Sequence, residues 1–457
     1  MTIITIILSF FIGVLSTAIP HWFFIAIFAL IFLTLCLIKN PENLFLILLG
    51  FSPLLREYVN YSGNGIPNIT FDRVILLALG TWLLFDSIKA HISGKINPGI
   101  NNSAILYVVI ILYLFFELVG YLRGVWPITT AGQYYLDRAL LPMVTFILAR
   151  KFTMTKGKIF VWRVFSIIVW IGIYSLTLEI LRRYVGIENL LYPNGRTYLW
   201  ADVPGTRAVG EFYNPAIFGC MIIMSLAALY YDFFPRQFNK EKWLIIFLFI
   251  WMIVLTFTRA VWLSFIIITV MILFFGPMKI KNRFLFLITG LLVFSIVLGF
   301  VQIRQTEIGK RLFQPENIQF REDYALKSVE MIYQKPIMGW GAGKFDNKYY
   351  TKVFDYYTGS YRTIGNPAHN SFLLMIVDRG LVTFIPYIAL IMIIIIKSVP
   401  IYKNGDLEIK KAIYFLWTGI INLVIAANFI QLEYFPYIIF MFWLLLGILS
   451  GLQTKRV

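Results

Sequence analysis

The stretch KWLIIFLFIWMIVLTFTRAVWLSFIIITVMILFFG, from Lys242 to Gly276, decides the fold. It holds two apolar runs, 242–258 and 260–276, with Arg259 between them. A helix crosses the hydrocarbon core of a bilayer with roughly 20 residues, in a range of about 17–25. Each run meets that length, so Arg259 stands where one crossing ends and the next begins. Further apolar runs lie near 3–19, 22–38, 43–55, 72–88, 103–121, 136–150, 159–181, 214–231, 283–301, 380–398, 410–428 and 433–452. Those at 43–55 and 136–150 are short, and are read as tilted, re-entrant or merged with a neighbour. The expectation is an all-α polytopic membrane protein with about 12–14 transmembrane helices. Residues 1–301 form an N-terminal helix bundle, 302–370 a long extracytoplasmic loop with short helices, and 371–457 the C-terminal helices.

Composition agrees. The 457 residues are 59% hydrophobic, 18% aromatic and 14% charged. Soluble domains carry about 25% charged residues. This composition excludes a water-soluble globule, a disordered chain, a disulfide scaffold and a collagenous fibre. Cys36 and Cys220 both sit in apolar runs, which argues against a structural disulfide or a cysteine-rich metal site. The first run has no basic residue ahead of it and no small-residue cleavage site, so it reads as a retained helix. No internal repeat is visible.

The net charge of +17 is unevenly placed. One set of loops carries Lys39; Lys89 and Lys95; Lys151, Lys156 and Lys158; Arg236, Lys240 and Lys242; Lys279, Lys281 and Arg283; Lys403, Lys410 and Lys411; Lys455 and Arg456. The positive-inside rule makes these loops cytoplasmic, with both termini on that side and 302–370 outside. The outer side is rich in arginine instead: Arg56, Arg73, Arg123, Arg138, Arg182, Arg183, Arg196, Arg207, Arg259, Arg304, Arg311, Arg321, Arg362 and Arg379. A planar guanidinium forms bidentate hydrogen bonds to phosphate or carboxylate and stays charged in a partly dry site. The set suggests an outward-facing site for a polyanion. The competing reading is that these arginines pair with outer acids such as Glu57, Asp72, Asp137, Glu179 and Glu211, or snorkel to headgroups.

Several chemistries find no support. There is no Asp-x-Asp and no His-Glu-x-x-His. Gly339-Trp340-Gly341-Ala342-Gly343-Lys344-Phe345 is one residue short of a phosphate loop and has Phe345 where Ser or Thr binds magnesium. It reads as a tight glycine turn. Residues 321–333 read as an amphipathic helix with Ala325, Val329 and Ile332 on one face and Arg321 at its start. The helix dipole disfavours a cation there, which would fit a nearby phosphate. Tyr349, Tyr350, Tyr356, Tyr357 and Tyr361 suit either sugar stacking or a membrane interface. Of the three histidines, His91 falls on the cytoplasmic side, His21 sits between the first two spans, and His369 stands just before the chain re-enters the membrane. There it is either a satisfied interfacial polar group or a proton acceptor.

The residues around His369 carry a resemblance. His369-Asn370, nine residues, Gly380, two residues and Thr383 resemble the signature of the O-antigen ligase and polymerase superfamily. Thr256-Phe257-Thr258-Arg259-Ala260 resembles its Ser/Thr-x-Ser-Arg-Gly/Ala element. Arg321, a helix, Pro336 and Gly339-Trp340-Gly341 resemble its long-loop arginine and glycine turn. Gly210-Glu211-Phe212-Tyr213-Asn214-Pro215 resembles its Gly-x-Phe-x-Asn-Pro-Asn element, with Ala216 in place of the last Asn. The resemblance spans about 207–383. It implies glycosyl transfer on the outer face of a bacterial cytoplasmic (inner) membrane, without metal or soluble cofactor and without nucleic acid. The donor would be a glycan on undecaprenyl diphosphate, and the acceptor a hydroxyl of lipid A–core or another glycan. The catalytic set is then His369, Arg259 and Arg321, with Arg207, Asn214, Asn370 and Arg138 binding diphosphate or glycan, and Asn370 and Asp378 orienting the histidine. The ligase reading leads, an O-antigen or exopolysaccharide polymerase is the alternative, and a transporter or flippase ranks last because no repeat or midplane charge pattern is seen.

Overall fold

The computed structural model describes residues 39–55, 60–63, 66–93, 104–186, 207–212, 214–231, 233, 241–277, isolated positions between 283 and 295, 316–345, 350–355, 360–365 and 369–453. The runs at 3–19 and 22–38, most of 283–301, His21 and Cys36 lie outside the described residues. So do Tyr349, Tyr356 and Tyr357.

The chain is a multi-pass helical membrane protein. Helix α1 covers Pro41–Leu55, α2 Phe71–Ile92, α3 Ala104–Leu122, α4 Ile128–Tyr135, α5 Leu141–Lys156, α6 Lys158–Ile180, α7 Pro215–Tyr230, α8 Lys242–Leu255 and α9 Arg259–Phe275. Then follow α10 Glu316–Gln334, α11 Ser371–Arg379, α12 Leu381–Asn404, α13 Leu407–Ala427 and α14 Pro436–Leu452. Among the described residues five helices are long and apolar enough to cross a membrane: Phe71–Ile92, Ala104–Leu122, Lys158–Val185, Leu381–Asn404 and Leu407–Ala427. Helices α7, α8, α9 and α14 are apolar but shorter. Two antiparallel hairpins, Asn60–Gly63 with Ile66–Thr70 and Tyr350–Asp355 with Ser360–Gly365, sit between helices. The sequence reading placed no strands there.

The short run at 136–150 merges with its neighbours. A wider π-type turn over Leu136–Leu140 joins α4 to α5, and a second, Leu181–Val185, extends α6. Such turns insert an extra residue into a helix and often mark functional sites. Here they carry Asp137 and Arg138, and Arg182 and Arg183.

Inside a bilayer, helices associate through packing and paired polar groups, because lipid is as apolar as leucine. Helix α14 lies along α5 at backbone contact distance. A Cβ on Gly447 would fall 2.5 Å from Phe146 O, and one on Gly451 would fall 2.8 Å from Arg150 O. Asn422 on α13 is fully buried, accepting from Ser264 Oγ of α9 at 2.6 Å and donating to Cys220 O of α7 at 2.8 Å.

Charged side chains pair between neighbouring helices near their ends. At one end Lys151 pairs with Asp86, Lys158 with Asp406, and Arg163 with Glu42 at 3.1 Å. At the other, Arg73 Nε donates to Asp137 at 2.7 Å, and Arg182 donates to Arg207 O at 3.0 Å, beside the turn that Arg207 holds ahead of Arg259.

Two expectations about the outer loop change. Its helix begins at Glu316, so Arg321 stands in the second turn and the dipole argument for a phosphate beside it falls. The buried stripe is Tyr324, Ser328 and Met331, packed on Phe345, Leu374 and Val377, while Val329 faces out. Tyr324 and Met331 are larger than Ala325 and Val329, so the helix rolls to bury them. Helix α10 therefore packs on α11, which ties this segment to the helix that follows His369.

Candidate active site

The turn 256–258 presents Arg259. Phe257 links α8 to α9 with φ +45°, a region that strains a bulky side chain. Trp262 Nε1 donates back across the turn to Ile253 O at 3.2 Å. Arg207 grips the turn from outside: Nε donates to Thr256 O at 3.0 Å and Nη2 to Thr258 Oγ1 at 2.7 Å. The Thr258 hydroxyl in turn donates to Thr256 O at 3.0 Å. Arg259 is the first residue of α9, with its side chain exposed at the helix end.

Arg321, on α10, has its guanidinium 6.0 Å from the Phe429 ring. Partial burial, and secondly the positive charge of Arg259, push its pKa below the usual arginine value. His369 follows the same logic. Burial first, and the Arg321 charge second, lower its pKa from 6.5 to about 4. Arg321 therefore lies within electrostatic reach of both Arg259 and His369. Three residues spread over more than a hundred positions meet at one end of the bundle. Clustering like-signed groups costs free energy, and an anion bound among them would recover it.

His369 has φ +51°, the second strained non-glycine residue among those described. The bend sets the imidazole just ahead of α11. Asn370 caps that helix, its Oδ1 accepting from Phe372 N at 2.9 Å and Leu373 N at 3.0 Å. Its amide nitrogen donates to Asn428 Oδ1 at 3.4 Å. Ser371 Oγ donates to Ile430 O at 3.1 Å and accepts from Leu432 N at 2.9 Å. Asn214 plays the capping role at α7, accepting from Ala216 N at 2.9 Å and Ile217 N at 3.2 Å. Both asparagines thus satisfy helix N-termini.

Asp378 serves the glycine turn. Its carboxylate accepts from Gly343 N at 2.9 Å and Phe345 N at 3.4 Å. Those amides would be the phosphate donors of a phosphate loop, and they are occupied. The turn wedges between the α11–α12 junction and the α3–α4 turn: Gly341 N donates to Asp378 O at 2.7 Å, Ala342 N to Gly120 O at 3.0 Å, and Leu381 N to Pro336 O at 2.9 Å. Gly380 has φ +76° and backs onto this turn, and Thr383 Oγ1 donates to Arg379 O at 3.0 Å. The Gly380 and Thr383 positions of the signature are therefore packing positions that aim α11.

Arg138 belongs to a buried charge network. It lies 3.7 Å from Glu433 and 4.3 Å over the Tyr134 ring. Glu433 also accepts from Arg379 at 2.6 Å, and Arg379 donates to Glu117 at 3.0 Å. These four groups line a small cavity of about 50 Å³ together with Phe372, Tyr387 and Trp443. Sequence reading passed over this network. Its signal was Glu117, one carboxylate inside an apolar span, which is costly there unless paired. Elsewhere, Glu179 takes Arg182 at 2.5 Å and Arg183 at 3.4 Å, and Arg123 donates to Met338 O at 2.8 Å. Many outer arginines are thus paired with acids or carbonyls. Among the described residues, the groups acting on Arg321 are cationic or apolar.

No curated protein matches the chain. Residues 244–388 match the family model Wzy_C, described as O-Antigen ligase. The match contains Arg259, Arg321, His369, Gly380 and Thr383, and leaves Arg207 and Asn214 outside. Members of that family are glycan-transferring enzymes that act on lipid-linked glycans. The segment that carries Arg259, Arg321 and His369 is thus similar to the O-antigen ligase family over residues 244–388.

Proposed function

We propose that the chain is an O-antigen ligase-type glycosyltransferase of the bacterial inner membrane. It moves a saccharide from undecaprenyl diphosphate to a hydroxyl of lipid A–core or a similar acceptor on the outer side. The observation that carries this reading is the electrostatic coupling of Arg321 to both Arg259 and His369 at one helix-end cluster.

The acceptor hydroxyl attacks the anomeric carbon while the bond from that carbon to the diphosphate oxygen breaks. The hydroxyl proton passes to the His369 imidazole, and the lipid diphosphate leaves with the bonding pair. Arg259 and Arg321 stabilise the charge that develops on the leaving oxygens, the kind of preorganised stabilisation that is worth several kcal/mol in a partly dry site. In this reading the guanidiniums carry that charge. Arg207 positions the turn carrying Arg259, and Asn214 and Asn370 position the helices they cap. Arg138 acts through Glu433.

The test is transfer by purified protein in detergent, given lipid-linked donor with lipid A–core and unmodified repeat units side by side. The ligase reading expects label on lipid A–core. Chain extension on the lipid carrier identifies a polymerase, and no new glycosidic linkage overturns the reading. His369→Gln keeps a hydrogen-bond donor but gives up proton acceptance. A loss of about 10²–10⁴-fold is expected if it is the base.

A further inference from the structure

The loop that joins α13 to α14 is fastened to both ends of α11. Beside His369, Asn370 donates to Asn428 Oδ1 at 3.4 Å, and the Asn428 amide donates back to Val424 O of α13 at 2.9 Å. One residue on, the Phe429 ring lies 6.0 Å from the Arg321 guanidinium. The Ser371 hydroxyl straddles Gln431, donating to Ile430 O at 3.1 Å and accepting from Leu432 N at 2.9 Å. At the far end of α11, Arg379 donates to Glu433 at 2.6 Å, and Arg138 lies 3.7 Å from the same carboxylate. A single loop therefore contacts the residues next to His369 and the side chain of Arg321.

The shape of this loop carries a cost that its fastenings offset. Gln431 is buried, and among the described residues neither its Oε1 nor its Nε2 has a hydrogen-bond partner. A buried amide without partners is unfavourable, so an unfastened loop would turn it out to water. The fastening at Glu433 is charge-assisted, the strong kind in a partly dry site. Arg379 passes close against α3 at Gly120, where a Cβ would fall 2.5 Å from Arg379 Cγ. The same guanidinium donates to Glu117 of α3 at 3.0 Å and to Tyr121 at 3.3 Å. Of its two carboxylate partners, Glu433 belongs to the loop and Glu117 does not.

We infer that loop 428–433 is the frame of the site and that Glu433 is a positioning residue: held by Arg379 and Arg138, it keeps the loop seated on α11 and so fixes where His369 and Arg321 stand relative to each other. The inference rests on the transfer reading for what those two residues do, and on the contacts alone for how the loop holds them. Glu433 lies beyond the family-matched segment, which ends at residue 388. Its effect passes through the backbone of residues 428–432, to the imidazole on one side and the guanidinium on the other. A misplacement of about 1 Å at reacting groups can cost ~10²-fold in rate, which sets the scale for losing the frame.

Glu433→Gln keeps a hydrogen-bond acceptor and removes the charge, and its kcat for glycan transfer should fall by ~10²-fold. Glu117→Gln takes the other carboxylate from Arg379 and leaves the loop fastened. Its thermal midpoint should fall about as far, while its kcat stays within a few fold of wild type. A second arm needs no substrate: NMR titration of protein with labelled histidines, the His369 signal assigned from His369→Gln. Removing a nearby carboxylate by itself lowers an imidazole pKa. Loosening the frame does the opposite, because it relaxes the burial and the Arg321 charge that hold His369 at about 4. The His369 titration should therefore rise toward 6.5 in Glu433→Gln and not in Glu117→Gln. Ser371→Ala unfastens the middle of the loop without touching a charge. It should raise the titration too, and it carries the test if Glu433→Gln fails to fold. An unshifted or lowered His369 titration in either folded loop variant overturns the frame, as do equal kcat losses in the Glu433 and Glu117 variants. Wild-type protein that transfers no glycan overturns the transfer reading alone, and the titration still decides the frame.

Discussion

Arg321 should set the acid limb of His369, and the size of the effect follows from its surroundings. The imidazole is held neutral by burial first and by the Arg321 charge second, with its pKa lowered from 6.5 to about 4. The difference is worth about 3 kcal/mol of preference for the neutral form, at 1.36 kcal/mol per pKa unit. Because the folded pKa is depressed, the protein loses stability, and the base its competence, as pH falls from about 6.5 toward about 4. Glycan transfer measured as kcat/KM should therefore stay flat as pH drops below 6.5 and decline only toward about 4. Arg321→Gln removes the second cause and leaves the first. Its limb should move up yet stay below 6.5, alongside the rate loss from the missing guanidinium. A diphosphate in the site favours the imidazolium, so the limb in kcat should lie above the limb in kcat/KM. That shift matters chemically, because a base with a pKa near 4 accepts a proton weakly at neutral pH, and the bound donor strengthens it. A wild-type kcat/KM limb at or above pH 6.5 would refute this account, as would a limb in Arg321→Gln lying lower than in wild type.

Three further outcomes are expected. Arg259→Lys and Arg321→Lys should each lower transfer by at least ~10-fold in steady-state assays, since lysine keeps the charge and loses the bidentate fork. Asn370→Ala should lower the midpoint of thermal unfolding, with a cap loss of about 1 kcal/mol. Asn370→Asp should restore both midpoint and activity, because the cap uses Oδ1; an inactive but stable Asp variant would instead assign the amide to substrate. Ser360→Cys, in the outer hairpin, should react with a membrane-impermeant thiol reagent in intact spheroplasts, and labelling only after lysis would reverse the proposed sidedness.

Much of this protein is legible in the chain because the bilayer permits few solutions. With no water to satisfy backbone groups, an apolar run such as 103–121 or 380–398 has to become a helix; the first does so within one residue of its expected bounds, as Ala104–Leu122, and the second runs on to Asn404. The resemblance carried by His369, Gly380 and Thr383 was likewise readable, since spacing along one strand of sequence survives without knowledge of the fold. The outer helix was legible only in part. Its existence followed from periodicity, but its start and buried face were set by which side chains α11 and Phe345 had room to receive.

The arginines mark the other boundary. Sequence could show that they gather at one end of the helices and that each had two possible fates, pairing with an acid or facing an anion. It could not sort them, because a guanidinium's fate depends on what another helix brings within about 4 Å. Tertiary structure pairs Arg73 with Asp137 and Arg379 with Glu117 and Glu433, whereas Arg182 meets Glu179 three residues back on its own helix. It turns Arg207 inward to grip the turn at Thr256 and Thr258. It also brings Arg321, from within a long loop, into electrostatic reach of Arg259 and of His369. Helix formation is local and is written in neighbouring residues, whereas the meeting of charges 48 to 110 positions apart depends on how those helices pack.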